Sequence, residues 1–250
     1  VRASCLARSR RRASALVEQL ITALTRCHRE GTRLRAADWQ HAVQDQAEAY
    51  AVQDGVAAVL GWPMDRWKSG AARREGPYGH SPVNPIAGPH LLGVEVEVAL
   101  RLARDVGPAE AQSETEGPID AMCVAVELIA SRWEEGLAAP ELLRFADFQS
   151  NAGLLLGEWL PYRPLDWARL PWQLSLEGQP EIARQGGHSL ADPAAVVPHW
   201  LRHATREGRV LKAGSVVTTG AWAGLHPLGS ATSGELVMEG LGRLSFSATA

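Results

Sequence analysis

The chain has 250 residues, 46% of them hydrophobic, and carries a formal net charge of −3 with a pI near 6.3. That length supports one substantial core or two small ones, and the near-neutral balance gives no electrostatic case for nucleic acid or an anionic membrane surface. No apolar run reaches the roughly 18 residues of a membrane span, and three scattered cysteines (Cys5, Cys27, Cys123) with no C-x-x-C pair suggest neither a disulfide framework nor a zinc site, which fits a reducing cytosol.

At the start, Arg8 to Arg12 read Arg-Ser-Arg-Arg-Arg. The residues that follow are amphipathic, with Glu18, Gln19 and Thr22 among them, so the run reads as a basic, solvated helix start and not as a targeting segment. Leu16, Leu20 and Leu24 fall at i, i+4 and i+8 and predict a helix over 13–28, with Gly31 as its stop. Asp38 is a plausible N-cap for a second helix carrying Trp39, Val43, Ala47 and Tyr50 on one stripe and running to about Leu60, where Gly61 ends it. After Gly61 the texture turns to Pro, Gly and short β-rich segments, which places a boundary near residue 62. Residues 70–93 hold nine Gly or Pro and predict a long loop.

Val94 to Leu102 alternate strictly, with Val or Leu at every even position and Glu, Glu, Ala, Arg at the odd ones. That period of two marks a strand with one buried face, and Glu95 and Glu97 share the other, roughly 7 Å apart at about 3.3 Å of rise per residue. Side-by-side carboxylates repel unless a proton or cation lies between them, and hard divalent ions want such oxygen pairs. A solvated sheet face is the plain alternative. Residues 106–118 read as a surface loop. Ile119 to Ala130 form a mostly apolar run in which Glu127 is the one charge after Asp120. Burying it alone would be costly, so it either pairs with Arg132, sits on an exposed edge, or joins Glu95 and Glu97 as a third oxygen ligand. Further on, 154–156, 172–176 (closing through Glu177-Gly178), 215–220 and 244–248 read as strands, and 193–203 as a helix with Val196, Val197, Trp200 and Leu201 inward. The sum is an α+β chain with a helical N-terminal arm over 1–62 and a β-rich region over 63–250.

Several short landmarks then fall in a recognisable order: Trp67-Lys68-Ser69-Gly70, Val94 to Leu100, Glu127-Leu128-Ile129-Ala130-Ser131-Arg132, Phe145-Ala146-Asp147, Leu211-Lys212-Ala213-Gly214 and Val217-Thr218-Thr219-Gly220. Together they resemble the 2-keto-4-pentenoate hydratase family of the fumarylacetoacetate hydrolase superfamily. The resemblance implies a mixed β-sheet roll, one Mg²⁺ or Mn²⁺ on Glu95, Glu97 and Glu127, and a pocket for a small 2-oxo acid. Lys68 would line that pocket as a catalytic residue, adding positive charge near an oxyanion or shuttling a proton. The resemblance further implies Thr219 on the substrate carboxylate, with Gly220 giving close backbone approach, and a cytosolic homo-oligomer. The implied activity is hydration of 2-hydroxydienoic or 2-oxo acids from aromatic meta-cleavage catabolism. The same scaffold also admits a 2-oxo-3-enedioate decarboxylase, an acylpyruvate C–C hydrolase or a non-catalytic partner subunit. Two departures from the family pattern stand out. The loop after Lys68 lacks the usual acidic residue, leaving His80 and His188 as candidate acid/bases, and the usual Ala-Asp-Asn becomes Ala146-Asp147-Phe148, followed by Gln149-Ser150-Asn151.

Overall fold

The computed structural model describes residues 2–85, 90–113 and 117–248, with side chains described from Ser14 onward. In chain order the helices and strands are α1 (Arg2–Glu30), α2 (Gln46–Leu60), β1 (Arg66–Gly70), β2 (Gly79–Pro82), β3 (Leu91–Leu102), α3 (Pro108–Ser113), β4 (Ile119–Ala130), α4 (Glu141–Ala146), β5 (Asn151–Leu156), β6 (Leu160–Pro161), β7 (Pro171–Leu176), β8 (Ile182–Gln185), α5 (Val197–Ala204), β9 (Val216–Thr218), β10 (Trp222–Pro227), β11 (Ser233–Met238) and β12 (Gly242–Ser247). The architecture is α+β. The basic side chains at Arg8 to Arg12 lie outside the described ones. No helix among the described residues is long and apolar enough to cross a membrane.

Eight strands form one mixed sheet in the order β2-β1-β9-β3-β4-β5, with β10 also on β3 and β6 also on β4; β1 and β9 run parallel and the other pairs antiparallel. A second, antiparallel sheet runs β12-β11-β7-β8. The even positions of β3 (Val94, Val96, Val98, Leu100) and their partners on β4 (Leu128, Val126, Val124, Met122) are buried in one core with Trp172, Leu174, Leu236 and Met238 of the second sheet. Fully burying each such aliphatic side chain stabilises by about 1.5–3 kcal/mol, which fixes the register: a slip of one residue would turn Glu95 and Glu97 into that core.

The helical arm has its own cluster. Leu20 and Leu24 of α1 and Ala49, Val52 and Val56 of α2 pack with Trp133, Leu143 and Phe148. The second helix starts later than its sequence suggests. Ala36–Asp38 close a single 3₁₀ turn whose Ala36 N–H donates to the Glu135 carboxylate at 3.0 Å, so Trp39 and Val43 lie in a connection. Asp45 is the N-cap, accepting the Glu48 N–H at 2.9 Å, and Glu48 in turn accepts the Gln44 N–H. Gly61 ends the helix in the left-handed conformation.

Other expectations need correction. The Gly/Pro-rich loop contains β2, which pairs with β1; its residues 86–89 lie outside the described ones. The expected surface loop 106–118 holds the short helix α3. Strands β10 and β11 are absent from the reading by alternation: β10 pairs with β3 in the first sheet, and β11 lies between β12 and β7 in the second.

Candidate active site

Strand pairing alone brings the acids together. Glu95 lies directly opposite Glu127 across β3 and β4, and Glu97 is two residues further along the same face. One carboxylate oxygen from each lies within 4.8 Å of the others. The face is not solvated: Glu97 is 1% and Glu127 0% exposed, and Glu95 is half-buried. Glu127 does not pair with Arg132. Its Oε1 accepts from Lys68 Nζ at 2.6 Å and from Asn151 Nδ2 at 2.9 Å, while Oε2 is buried with no hydrogen-bond partner among the described residues. Glu97 Oε2 accepts the Gly220 backbone N–H at 2.8 Å.

Lys68 reaches the acids because β1 joins the same sheet: Lys68 is level with Thr218 on β9, and Thr218 with Ala99 on β3, so all share the acid face. Burial and mutual repulsion raise the Glu95 and Glu97 carboxyls, Glu97 well above the ordinary value, with Lys68 opposing in both. Burial pulls the Lys68 ammonium down, but Glu127, Glu95 and Glu97 outweigh it and the net shift is upward. The three acids thus favour the charged form of Lys68.

The acids open into a cavity of about 890 Å³ lined by Glu95, Glu97, Lys68, Arg144, Gln149 and Gly220 among others. The other expected residues are placed differently. Thr219 is fully buried and its hydroxyl donates to the Val98 carbonyl at 2.9 Å, so its side chain is turned away from the cavity. Gly220, at φ +105°, holds a backbone conformation that favours glycine, and a Cβ built on it would lie 3.7 Å from Gly70 Cα, an ordinary contact. His188 donates through Nε2 to the Thr219 carbonyl at 2.9 Å and accepts the Leu190 N–H on Nδ1 at 3.2 Å. Both nitrogens are thus engaged, Nε2 on the Thr219-Gly220 turn and Nδ1 within its own loop, and burial brings its pKa down to about 4. His80 pairs across β1/β2 with Ser69, on the face opposite Lys68; its Nδ1 shares a 2.7 Å hydrogen bond with Ser69 Oγ, and its ring stacks on His203. Burial pushes its pKa down to about 3. Neither histidine is presented to the acids.

Asp147 lies beneath the site. Fully buried, it accepts from Arg132 through both carboxylate oxygens (Nε at 2.5 Å, backbone N–H at 3.0 Å), and its carbonyl accepts from Arg132 Nη2 at 3.0 Å. Burial raises its carboxyl, and Arg132 offsets this in part. The next three residues, Phe148, Gln149 and Ser150, all have positive φ (51°, 53°, 63°), one left-handed turn of non-glycine residues. Such backbone costs about 1–2 kcal/mol per residue and persists only where its surroundings dictate it. The turn delivers the Gln149 carbonyl to within 3.5 Å of Lys68 Nζ and Asn151 to Glu127. Asn151 Oδ1 in turn accepts the Asn84 and Gly153 N–H groups. Asn151 and Gln149 were visible in the sequence only as a departure from the family's Ala-Asp-Asn.

Comparison with known proteins follows the same lines. A family model described as fumarylacetoacetate (FAA) hydrolase C-terminal matches residues 77–247. The chain belongs to this family. As an FAA hydrolase family member it is 30% identical over 151 residues to a 4-oxalocrotonate decarboxylase from Pseudomonas sp., a match spanning 60% of this chain and 56% of that relative. Its fold is similar to that of 4-oxalocrotonate decarboxylase from Pseudomonas putida G7 complexed with magnesium and adipate (TM-score 0.69, 20% identity, 94% of this chain and 97% of that one). The structure of the same enzyme complexed with calcium and acetate gives a TM-score of 0.68 at 19% identity, over 94% and 96% of the chains. The narrower hydratase resemblance gains no separate match among these.

Proposed function

We propose that this FAA hydrolase family chain is a divalent-metal-dependent lyase that decarboxylates 2-oxo-3-enedioic acids, with Glu95, Glu97 and Glu127 as ligands of one Mg²⁺ or Mn²⁺. The observation that carries the reading is the three-carboxylate cluster, in which the buried oxygen Glu127 Oε2 has no partner among the described residues. Three acids, two of them fully buried, beside a single lysine leave uncompensated negative charge, and an all-oxygen set suits a hard divalent ion. The ion would supply Lewis acidity toward the two adjacent oxygens of a 2-oxo acid.

This chain's residues would do the rest. Lys68 holds an ammonium against Glu127 and faces the cavity, where it lowers the energy of negative charge gathering on the C2 oxygen. In the proposed reaction the bond to the distal carboxylate breaks and its electron pair moves through the C3–C4 double bond to that oxygen, releasing CO₂ and leaving a dienolate. Gly220 fixes Glu97 through its N–H, Asn151 fixes Glu127 through its amide, and the His188 hydrogen bond holds the Thr219-Gly220 turn.

Decarboxylation fits these residues better than hydration or C–C hydrolysis, the other activities the resemblance admits. Those reactions need a group that activates water, yet the segment from Gly76 to Val94 has no carboxylate, His80 faces away from Lys68, and Glu141, a further carboxylate lining the cavity, is exposed. The two decarboxylase matches support the same choice. Homo-oligomer formation belongs to the same proposal. The deciding assay incubates the protein with 2-oxo-3-hexenedioate and Mg²⁺ or Mn²⁺ and follows bicarbonate release and solvent-oxygen incorporation separately. Metal-dependent bicarbonate release is expected. Oxygen incorporation without bicarbonate would return the chain to the hydratases, and Mn²⁺ affinity unchanged by Glu97→Ala would remove the site.

A further inference from the structure

One polar group in the cavity has no work inside the protein. Gln149 lines the cavity, yet its side-chain nitrogen Nε2 is buried and makes no hydrogen bond with any described residue. Buried donors left unmatched are rare and cost about 1–3 kcal/mol each. This one also stands on strained backbone, at φ +53°, in the middle of the left-handed turn. Two costs at one residue call for a compensating contact.

The surroundings fix where the amide stands. Its own carbonyl is 3.5 Å from Lys68 Nζ. The turn is tied behind by the Arg132–Asp147 hydrogen bonds and ahead by Asn151 on Glu127. On its outer side the amide rests on Gly79: a Cβ built on Gly79 would lie 2.7 Å from Gln149 Oε1 and 3.3 Å from Phe145 Cε2. Glycine at 79 therefore gives the amide room to lie back against β2 at the cavity wall. The two cationic residues lining that cavity are Lys68 and Arg144, and Lys68 is already paired with Glu127. A neutral donor is the chemistry that adds a hydrogen bond to an anionic ligand without drawing the metal-binding acids into a new ion pair.

We infer that Gln149 is a substrate-binding residue, its Nε2 donating to a carboxylate oxygen of the bound 2-oxo acid. This rests on the proposed function for the nature of the ligand, and it assigns to the left-handed turn the task of presenting that donor. Gly79 becomes a positioning residue for the same contact.

The test is calorimetric titration of the Mn²⁺-loaded protein with 2-oxoadipate, a saturated probe that keeps both carboxylates. Gln149→Ala should bind it about 10-fold more weakly, the scale of one hydrogen bond to a charged group. Gln149→Glu should lose about 100-fold or more, because it sets a like charge against the ligand. Gly79→Ala, which leaves every polar group in place, should follow Gln149→Ala. Mn²⁺ affinity should stay within about twofold of wild type in all three. Wild-type 2-oxoadipate affinity in Gln149→Ala and Gln149→Glu overturns the inference, and so does a parallel loss of Mn²⁺ affinity, which would mark a purely structural role. If the unaltered protein binds Mn²⁺ but not 2-oxoadipate, the 2-oxo acid reading itself fails, a result distinct from the variants alone retaining binding.

Discussion

Asp147→Asn tests how the site is held from beneath. In the folded protein the Arg132 guanidinium is nearly buried, and its described partners are the carboxylate and carbonyl of Asp147. Removing the negative charge leaves a buried cation uncompensated, which costs about 3–5 kcal/mol. His28, the nearest other titratable ring, cannot relieve this. Burial and Arg132 hold its pKa down to about 2, so it is neutral, and protonating it would only add a second buried positive charge. For a chain of this size each kcal/mol moves the melting temperature by roughly 2–4 °C, so a drop of about 6–20 °C is expected by scanning calorimetry. The double variant Arg132→Met, Asp147→Leu removes both charges and should recover most of that loss. Mn²⁺ binding should separate the two effects. The double variant loses every Arg132 side-chain hydrogen bond to residue 147, and Asp147→Asn keeps only one side-chain acceptor oxygen and the backbone carbonyl, so Asn151 is held less firmly on Glu127 and affinity should fall in both, most in the restabilised double. A double variant that recovers stability and full Mn²⁺ affinity together would refute the claim that this pair positions the turn.

Three further outcomes follow from the site. Lys68→Met should lower turnover by about 10²–10³-fold, the cost of one well-placed charge on a developing oxyanion, while Mn²⁺ affinity by calorimetry rises or holds because the cation competing for Glu127 is gone; parallel loss of both would make Lys68 structural. The metal-free protein keeps protons on Glu95 and Glu97 to higher pH than the unfolded chain does, so those groups favour folding at low pH and lose that contribution as pH rises. Mn²⁺ needs the same acids deprotonated, so the rise in melting temperature on adding it should be larger at pH 8 than at pH 5.5; a pH-independent rise would sever ion from acids. Burial, followed by neighbouring cationic groups that include Arg206 in both cases, holds His80 near pKa 3 and His203 near 2. These depressed imidazoles bind protons on unfolding, so their contribution is intact above about pH 6.5 and declines below it. His203→Phe should flatten that decline in urea titrations at pH 7 and pH 5; an unchanged slope would show that this ring is not its source.

The sequence exposed what is local. Period-two alternation located β3 and put Glu95 and Glu97 on one face, and helical spacing found α1 and the inward set of α5. That Glu127 faces them depends on the register of β3 against β4, a pairing across some thirty residues that no local pattern encodes; it came into view through family resemblance. The pairing of Glu127 with Arg132 was the nearest choice along the chain, yet the chain leaves the strand at Ser131 and Arg132 turns back to Asp147. Thr219, His80 and His188 carried the right chemistry in the right segments, but which face each side chain takes is decided by hydrogen bonds to Val98, Ser69 and Thr219. Strand β10 escaped notice because Trp222-Ala223-Gly224-Leu225-His226-Pro227 lacks alternation and its pairing with β3 slips register between Trp222 and Leu225.

The packing of Phe148 has a practical corollary for anyone shortening this protein. Phe148 belongs to the same apolar cluster as Leu20, Leu24 and Val52, and its ring lies against Trp62 and His28. The first two helices are therefore the floor beneath the pocket. Trimming them away to obtain a minimal β unit would leave that ring in water, and the damage would register first in ligand affinity, far along the chain from the cut.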